Sequence, residues 1–199
     1  MLIKEAKKIT ESLTRTSKMP GLSYSLPAWA CQTGAKLRKI PTSPCFGCYA
    51  MKNNYIRYPA IKAAQYRRLD AITHPQWVEA MVAQIKRQKW FRWHDAGDLQ
   101  SSEHMQKIIE VCKLTPDTKH WLPTQERQYL PKPEDVPENL IIRLSAAKVD
   151  GTAGNAWSHS STVVTDGSPS CMAPTQGGKC LDCRACWNKD IKNVSYGKH

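Results

Sequence analysis

Apolar side chains recur at helical spacing in three segments of the chain. In "YPAIKAAQYRRLDAI" (58–72), Ile61, Ala64, Leu69 and Ile72 fall near one helix face, with Pro59 suited to the first turn. In "HPQWVEAMVAQIKRQ" (74–88), Trp77, Met81 and Ile85 follow Pro75 at steps of four. "SSEHMQKIIEVCKL" (101–114) opens on a serine cap with Glu103 in the first turn, and Met105, Ile108, Ile109 and Cys112 share a face. Strands are predicted from "WFRWHDAGD" (90–98), "KHWLPTQE" (119–126), "NLIIRLSAA" (139–147) and "STVVTDG" (161–167). "GLSYSLPAWAC" (21–31) alternates small or polar with apolar residues and reads as an early strand or extended segment. Residues 1–19 read as a basic lead-in, a short helix or an extended arm, and residues 32–43 as a loop.

Helices alternating with short strands predict an α/β fold with a mainly parallel sheet. The length, 199 residues, fits one domain. Its core spans about 20–165, and the polar loop 148–161 leads to a cysteine-rich tail at about 168–199. A hydrophobic content of 41% is enough to pack a core. No apolar run approaches the roughly 18 residues of a membrane span. The charged N-terminus lacks a signal core, so no membrane and a cytoplasmic location are expected.

In a reducing cytosol, eight cysteines read as metal ligands or redox thiols rather than as a disulfide framework. Cys180, Cys183 and Cys186 form C-x2-C-x2-C, and Cys171 supplies a fourth thiol nearby. That spacing suits the separate iron corners of a [4Fe–4S] cluster, and zinc is the alternative. Cys31, Cys45 and Cys48 form C-x13-C-x2-C near the N-terminus. Three thiolates leave one coordination position open. Cys112, on an apolar helix face, reads as a buried thiol.

The net charge of +12 has two accounts. One is an anionic partner, most simply nucleic acid. The other is compensation for metal: two four-thiolate [4Fe–4S] sites at −2 each would bring the charge to about +8. The basic residues are spread along the chain rather than gathered in one run.

His94, Asp95 and Asp98 fall at a predicted strand end, where α/β folds build their sites, and are candidate catalytic groups. Thr124 and Ser145 close the next two strands and would line the same rim, where a cofactor would bind.

The pieces "KMPGLSYSLPAWAC", "CFGCYAMKNNY", "FRWHDAGDLQS" and "CRACW…VSYGKH" resemble a phage-encoded family called gene product 88. More distantly, Cys45, Cys48, Tyr49 and Ala50, then Asp98 and Leu99, then Thr124, resemble motifs of the radical SAM superfamily. That resemblance implies an incomplete parallel (β/α) barrel-like core with a [4Fe–4S] cluster near the C-terminal strand ends. It also implies S-adenosylmethionine as cofactor and a role for Tyr49 in binding it. The expectation is an iron–sulfur protein, radical-SAM-like, with one or two [4Fe–4S] clusters. The alternatives are a metal-stabilised nucleic-acid-binding module and an electron-transfer protein.

Overall fold

A computed structural model describes residues 1–52, 54–167 and 169–198. Two residues of the quoted motifs, Asn53 and His199, lie outside the described residues. The strands are β1 (Thr14–Arg15), β2 (Leu22–Tyr24), β3 (Trp90–Trp93), β4 (Lys119–Thr124), β5 (Leu140–Ser145), β6 (Ser160–Val164) and β7 (Asn193–Gly197). They form one seven-stranded sheet in sequential order. Only the β1–β2 pair is antiparallel. The expected mainly parallel α/β architecture is therefore present.

The helices are α1 (Ile3–Thr10), α2 (Gln32–Leu37), α3 (Asn54–Arg57), α4 (Pro59–Ala71), α5 (Trp77–Ile85) and α6 (Ser102–Lys113). The capping signals read from the sequence act as expected. Pro59 opens α4, and the Ser101 side chain accepts the His104 N–H at 3.1 Å to cap α6. Helix α2 replaces part of the expected loop. It is too short and too glycine-bearing to show a periodicity. Strand β1, two residues long, shows no alternation and is defined by its pairing partner, while β7 alternates Val194 and Tyr196 with Asn193, Ser195 and Gly197 beyond the cysteine-rich run, where no strand is predicted.

Side chains alternate across the sheet, so its two faces bury different things. Phe91, Trp93, Leu122, Leu140 and Ile142 join Trp77, Met81 and Ile85 of α5 and Met105 and Ile108 of α6 in the main core. Trp90, Trp121 and Ile141 face the other way and pack with Trp187 and Tyr196. The second face is thus covered by the segment between β6 and β7, the cysteine-rich tail. The Trp187 indole fixes it further by donating to the Phe91 carbonyl at 2.9 Å.

Arg143 of β5 ties that segment down. Its side chain is fully buried. Nε donates to Cys186 O at 3.0 Å, and Nη2 to Ala185 O and Asn188 O at 3.0 and 2.8 Å. Nη1 reaches Ile191 O at 2.9 Å, Ser160 O at 3.3 Å and Lys192 O at 3.5 Å. The rigid fork of five N–H donors suits a ring of carbonyls from one irregular segment, which no ammonium group could satisfy.

Helix α4 follows the pattern read in the sequence only in part: Leu69 and Ile72 pack on the main core as expected, and Ile61 does not. Its buried residues are Gln65, Arg68 and Ala71, while Ile61 is exposed. Gln65 donates to Ser25 Oγ at 2.8 Å, and Arg68 donates to Ser12 O at 2.6 Å and to Ser25 O at 3.3 Å. The inward stripe is polar because it satisfies the irregular backbone on either side of β1 and β2.

Two histidines belong to the core. His104 stands edge-on to Trp77, with ring centroids 5.6 Å apart. His120 stacks on Trp93 at 6.0 Å and pairs with Thr115 Oγ1 at 2.9 Å. Burial pushes both imidazoles down to about 3.

Two outcomes follow from these contacts. Arg143→Met should strand a ring of carbonyls without a donor and destabilise the fold by about 3 kcal/mol. Hydrogen exchange should localise the loss to residues 170–192, and Arg143→Lys should not restore it; uniform loosening of the sheet would contradict the anchoring role. The histidines set the acid limb of stability. Between their folded values and 6.5, the unfolded chain takes up protons that the folded chain refuses. Their contribution is therefore complete above pH 6.5 and lost as pH falls. Each should cost about 1.4 kcal/mol between pH 7.5 and 5.5. Denaturant midpoints of wild type and His104→Phe at the two pH values check this: the variant should lose about 1.4 kcal/mol less than wild type on going from pH 7.5 to 5.5.

Candidate functional site

Cys31, Cys45 and Cys48 all lie in the long connection that follows β2, on the side of the sheet where the parallel strands end. Cys31 is the N-cap residue of α2. Glu126, itself fully buried, holds this corner from the end of β4. Its Oε1 accepts the Gln32 and Thr33 N–H groups at 3.0 and 2.8 Å, and its Oε2 accepts the Thr33 hydroxyl at 2.6 Å. A carboxylate there satisfies the helix's first free donors and complements its positive end.

Cys45 and Cys48 bracket a turn in which Cys48 N donates to Cys45 O at 3.2 Å and Cys45 N to Ser43 Oγ at 3.1 Å. Gly34 reports the convergence of the two segments. A methyl group there would sit 3.7 Å from Cys31 Sγ and 3.9 Å from Cys45 Sγ. Burial pushes the Cys31 thiol up, with Asp98 and the two neighbouring thiols adding to the effect. Burial, then Cys48, pushes Cys45 up to about 11.

Asp98 stands at the same rim. Its Oδ1 accepts from Thr124 Oγ1 at 2.6 Å and Leu99 N at 2.8 Å, and its Oδ2 from Gln125 N at 2.8 Å. Burial raises its carboxyl to about 7, against the pull of these three donors. The loop that carries it needs Gly97. The residue has φ +78°, and a Cβ there would come within 2.5 Å of Leu26 Cβ. Thr124 thus serves Asp98, and its oxygen also accepts Glu126 N at 3.0 Å. Ser145 is set apart from this group and pairs with Ser161 at 3.1 Å.

Asp95 and His94 diverge. Asp95 accepts from Ser23 Oγ at 2.7 Å and Tyr55 Oη at 3.0 Å, and its carbonyl accepts the Tyr49 hydroxyl. Tyr49 therefore anchors the Cys48 turn to the β3 loop, while its ring remains half exposed. His94, with φ 56°, turns its ring toward His104 on α6, 5.3 Å away, rather than toward the cysteines. The three candidate catalytic groups do not share one rim. Asp98 is an electrostatic neighbour of Cys31 and Cys45.

The tail cysteines gather on the second face of the sheet. Cys171, Cys180, Cys183 and Cys186 line one small cavity, whose other walls are Ala173, Ala185, Trp187 and Val194. Cys171 N donates to Ser195 O of β7 at 2.9 Å, and Cys180 N to Lys18 O at 2.8 Å. Cys186 Sγ lies 3.2 Å from Tyr196 Oη, and burial pushes its thiol up to about 11. Trp187 closes the cavity, as its place beside Cys186 in the sequence suggests. His159 caps no thiol and instead meets Lys189 O at 2.8 Å. Cys112 is buried in the core as expected. Among the described residues, no three Cys, His, Asp or Glu side chains form a group that would hold a single metal ion.

Several residues of these surroundings are not among the candidates read from the sequence. Arg92 of β3 is the chief one. Its guanidinium lies 4.5 Å from the Trp121 ring centroid. Its electrostatic neighbours are Tyr49 and Asp95 beside the first cysteine set, and Tyr196 and Cys186 of the second. The signal in the sequence is a lone arginine within "WFRW", as it is for Arg143 within "LIIRLS". Glu126 closes the predicted strand 119–126, where it would line the same rim, and Tyr55 and Tyr196 lie in the quoted pieces "CFGCYAMKNNY" and "VSYGKH", but only the fold brings them to the cysteines.

No curated protein and no solved structure matches the chain. The profile of one family, described as gene product 88, matches residues 1–189. That span includes both cysteine sets, Arg92, Arg143 and the Asp98 loop, and the chain belongs to the phage gene product 88 family.

Proposed function

We propose that this chain is an iron–sulfur protein of radical-SAM-like type, with two separate thiolate-held centres. Cys31, Cys45 and Cys48 would hold a cluster with one iron open, and Cys171, Cys180, Cys183 and Cys186 a second, fully thiolate-held one. The observation that carries this reading is the partition of the thiols. The four tail cysteines line one cavity whose remaining walls are apolar, while Cys31 and Cys45 converge beside Gly34, with Cys48 one turn from Cys45. Support for the barrel-like reading is the sequential order of parallel strands, with the three-cysteine connection leaving the first of them. A cluster with an open iron supplies a coordination site for SAM or a substrate atom and an electron for its cleavage.

The chain's own groups have definable parts in this. Glu126 fixes the Cys31 corner. Tyr49 fixes the Cys48 turn. Asp98, raised to about 7 by burial, can hold or release a proton near neutrality beside Cys31. Tyr196 and Trp187 border the tail thiols and would limit water there. Zinc in the same donors, with a nucleic-acid-binding or structural role, is the alternative for metal. Electron transfer without substrate chemistry is the alternative for activity.

Anaerobic purification with iron, sulfide and zinc counted per chain tests the reading. Two four-iron clusters give about eight irons. Cys183→Ser should lose about half, and Cys45→Ser with Cys48→Ser the other half, each removing a distinct paramagnetic or Mössbauer signal. About four irons lost together in either variant, or stoichiometric zinc without sulfide, would reject two iron–sulfur centres. Reductive cleavage of SAM by the wild type, absent from the Cys45/Cys48 variant, separates the enzyme from an electron carrier.

A further inference from the structure

The charge of this chain is not evenly distributed. Residues 12–69 contain ten lysines and arginines and no aspartate or glutamate, leaving nineteen basic against seventeen acidic residues elsewhere. Almost the whole excess therefore sits in one segment, which begins before β2, includes the first cysteine set and ends within α4. Even spacing of the basic residues hides this, because the asymmetry lies in where acids are missing.

The same segment exposes apolar surface. Among the described residues, seven of the thirteen exposed large hydrophobic side chains fall between Ile40 and Tyr66. Phe46, Tyr49, Tyr58 and Tyr66 are 54%, 50%, 48% and 38% exposed. Helix α4 adds to this by turning a polar stripe inward and leaving Ile61 outside. Such a concentration marks a contact surface rather than scattered exposure. Interleaved with it are Lys36, Lys39, Lys52, Arg57 and Lys62, all exposed and none within an ion pair among the described residues. Lys52 Nζ lies beside the Cys45–Cys48 turn, 3.3 Å from where a methyl group on Gly47 would stand. Lys62 Nζ sits 4.9 Å from the Trp29 ring centroid, and Arg57 Cζ 5.9 Å from that of Tyr58. The acids near this face are engaged elsewhere. Glu11 pairs with Arg67. Asp95, Asp98 and Glu126 are buried and hydrogen-bonded.

We propose that the face built by α2, the Cys45–Met51 turn, α3 and the first turns of α4 binds single-stranded nucleic acid. Exposed cations without acidic partners match a phosphate backbone, and half-exposed aromatic rings between them offer stacking platforms for unpaired bases. A duplex would use the cations and leave the rings idle. Tyr49 directly follows Cys48, so a bound strand would pass beside the three-cysteine corner. This inference goes beyond the iron–sulfur reading and rests on the surface alone.

The test uses the full chain, fluorescently labelled mixed-sequence RNA and DNA oligonucleotides of ~20 nucleotides (long enough for the ~4–16 of a typical single-strand site), the matching duplex, and phosphatidylserine vesicles. Single strands should bind more tightly than duplex. Lys39→Glu, Arg57→Glu and Lys62→Glu together should weaken binding at least tenfold. They should also reduce the slope of log K against log salt by about 2, from three lost phosphate contacts at ~0.7 each. A control triple of equal charge on α1, α6 and the β4–β5 connection, Lys4→Glu, Lys113→Glu and Lys132→Glu, should lose less than about threefold. Phe46→Ser with Tyr58→Ser leaves charge unchanged and should weaken the single strand about tenfold while sparing duplex. Equal losses in the two triples, no preference for single strands, or binding to vesicles but not to oligonucleotides would each overturn the proposal. Binding that survives in an iron-free preparation separates this inference from the fate of the cluster reading.

Discussion

Arg143 is the constraint on which the arrangement of this protein depends. One guanidinium, buried beneath the sheet's second face, holds the carbonyls of Ala185, Cys186, Asn188 and Ile191. Without it, the segment between β6 and β7 would have to bury unpaired backbone against Trp121 and Ile141, at a cost comparable to a lost hydrogen bond for each group. With it, an irregular, cysteine-rich segment becomes part of the fold. Trp187 can then pack into the second cluster, and four thiols can face one cavity. The charge is stabilised by dipoles rather than by a carboxylate, which leaves the thiols free of a neighbouring acid in that ring.

The first cysteine set is held by the opposite logic. There carboxylates supply the anchors, and backbone or hydroxyl donors surround them. Glu126 fixes α2, Asp95 gathers Ser23 and Tyr55, and Asp98 joins the β3 loop to the end of β4. Each is buried and hydrogen-bonded, as a buried charge must be. Arg92 lies between the two systems and counts Asp95 and Cys186 alike among its electrostatic neighbours. One cationic side chain thus lies near Tyr49 and Asp95 on one side and Tyr196 and Cys186 on the other, although these residues lie far apart in the sequence.

Polar groups inside leave apolar groups outside. Helix α4 spends its inward stripe on Gln65 and Arg68 to satisfy the backbone around Ser12 and Ser25. Leu69 and Ala71 still reach the main core, but Ile61 at the start of the helix and Phe46, Tyr49 and Tyr58 before it stay exposed. They lie among Lys36, Lys39, Lys52, Arg57 and Lys62, which form no ion pair among the described residues.

The sequence by itself determined the elements whose stability is local or whose burial follows a simple period. Trp77, Met81 and Ile85 on α5, and Met105, Ile108 and Cys112 on α6, are buried as their spacing requires. The Ser101 cap, Pro59 at a helix start and the gene product 88 membership were all legible in the same way. Tertiary structure alone decided the rest. Helix α2 exists because a glutamate more than ninety residues away caps it. Strand β7 exists because β6 offers it an edge. His94 left the candidate site because a left-handed backbone turned it toward α6. Ile61 came out and Arg68 went in because unsatisfied carbonyls outweighed one apolar side chain. In each case the deciding partner is distant in the chain, and a hydrogen bond to a distant group leaves no period in the sequence.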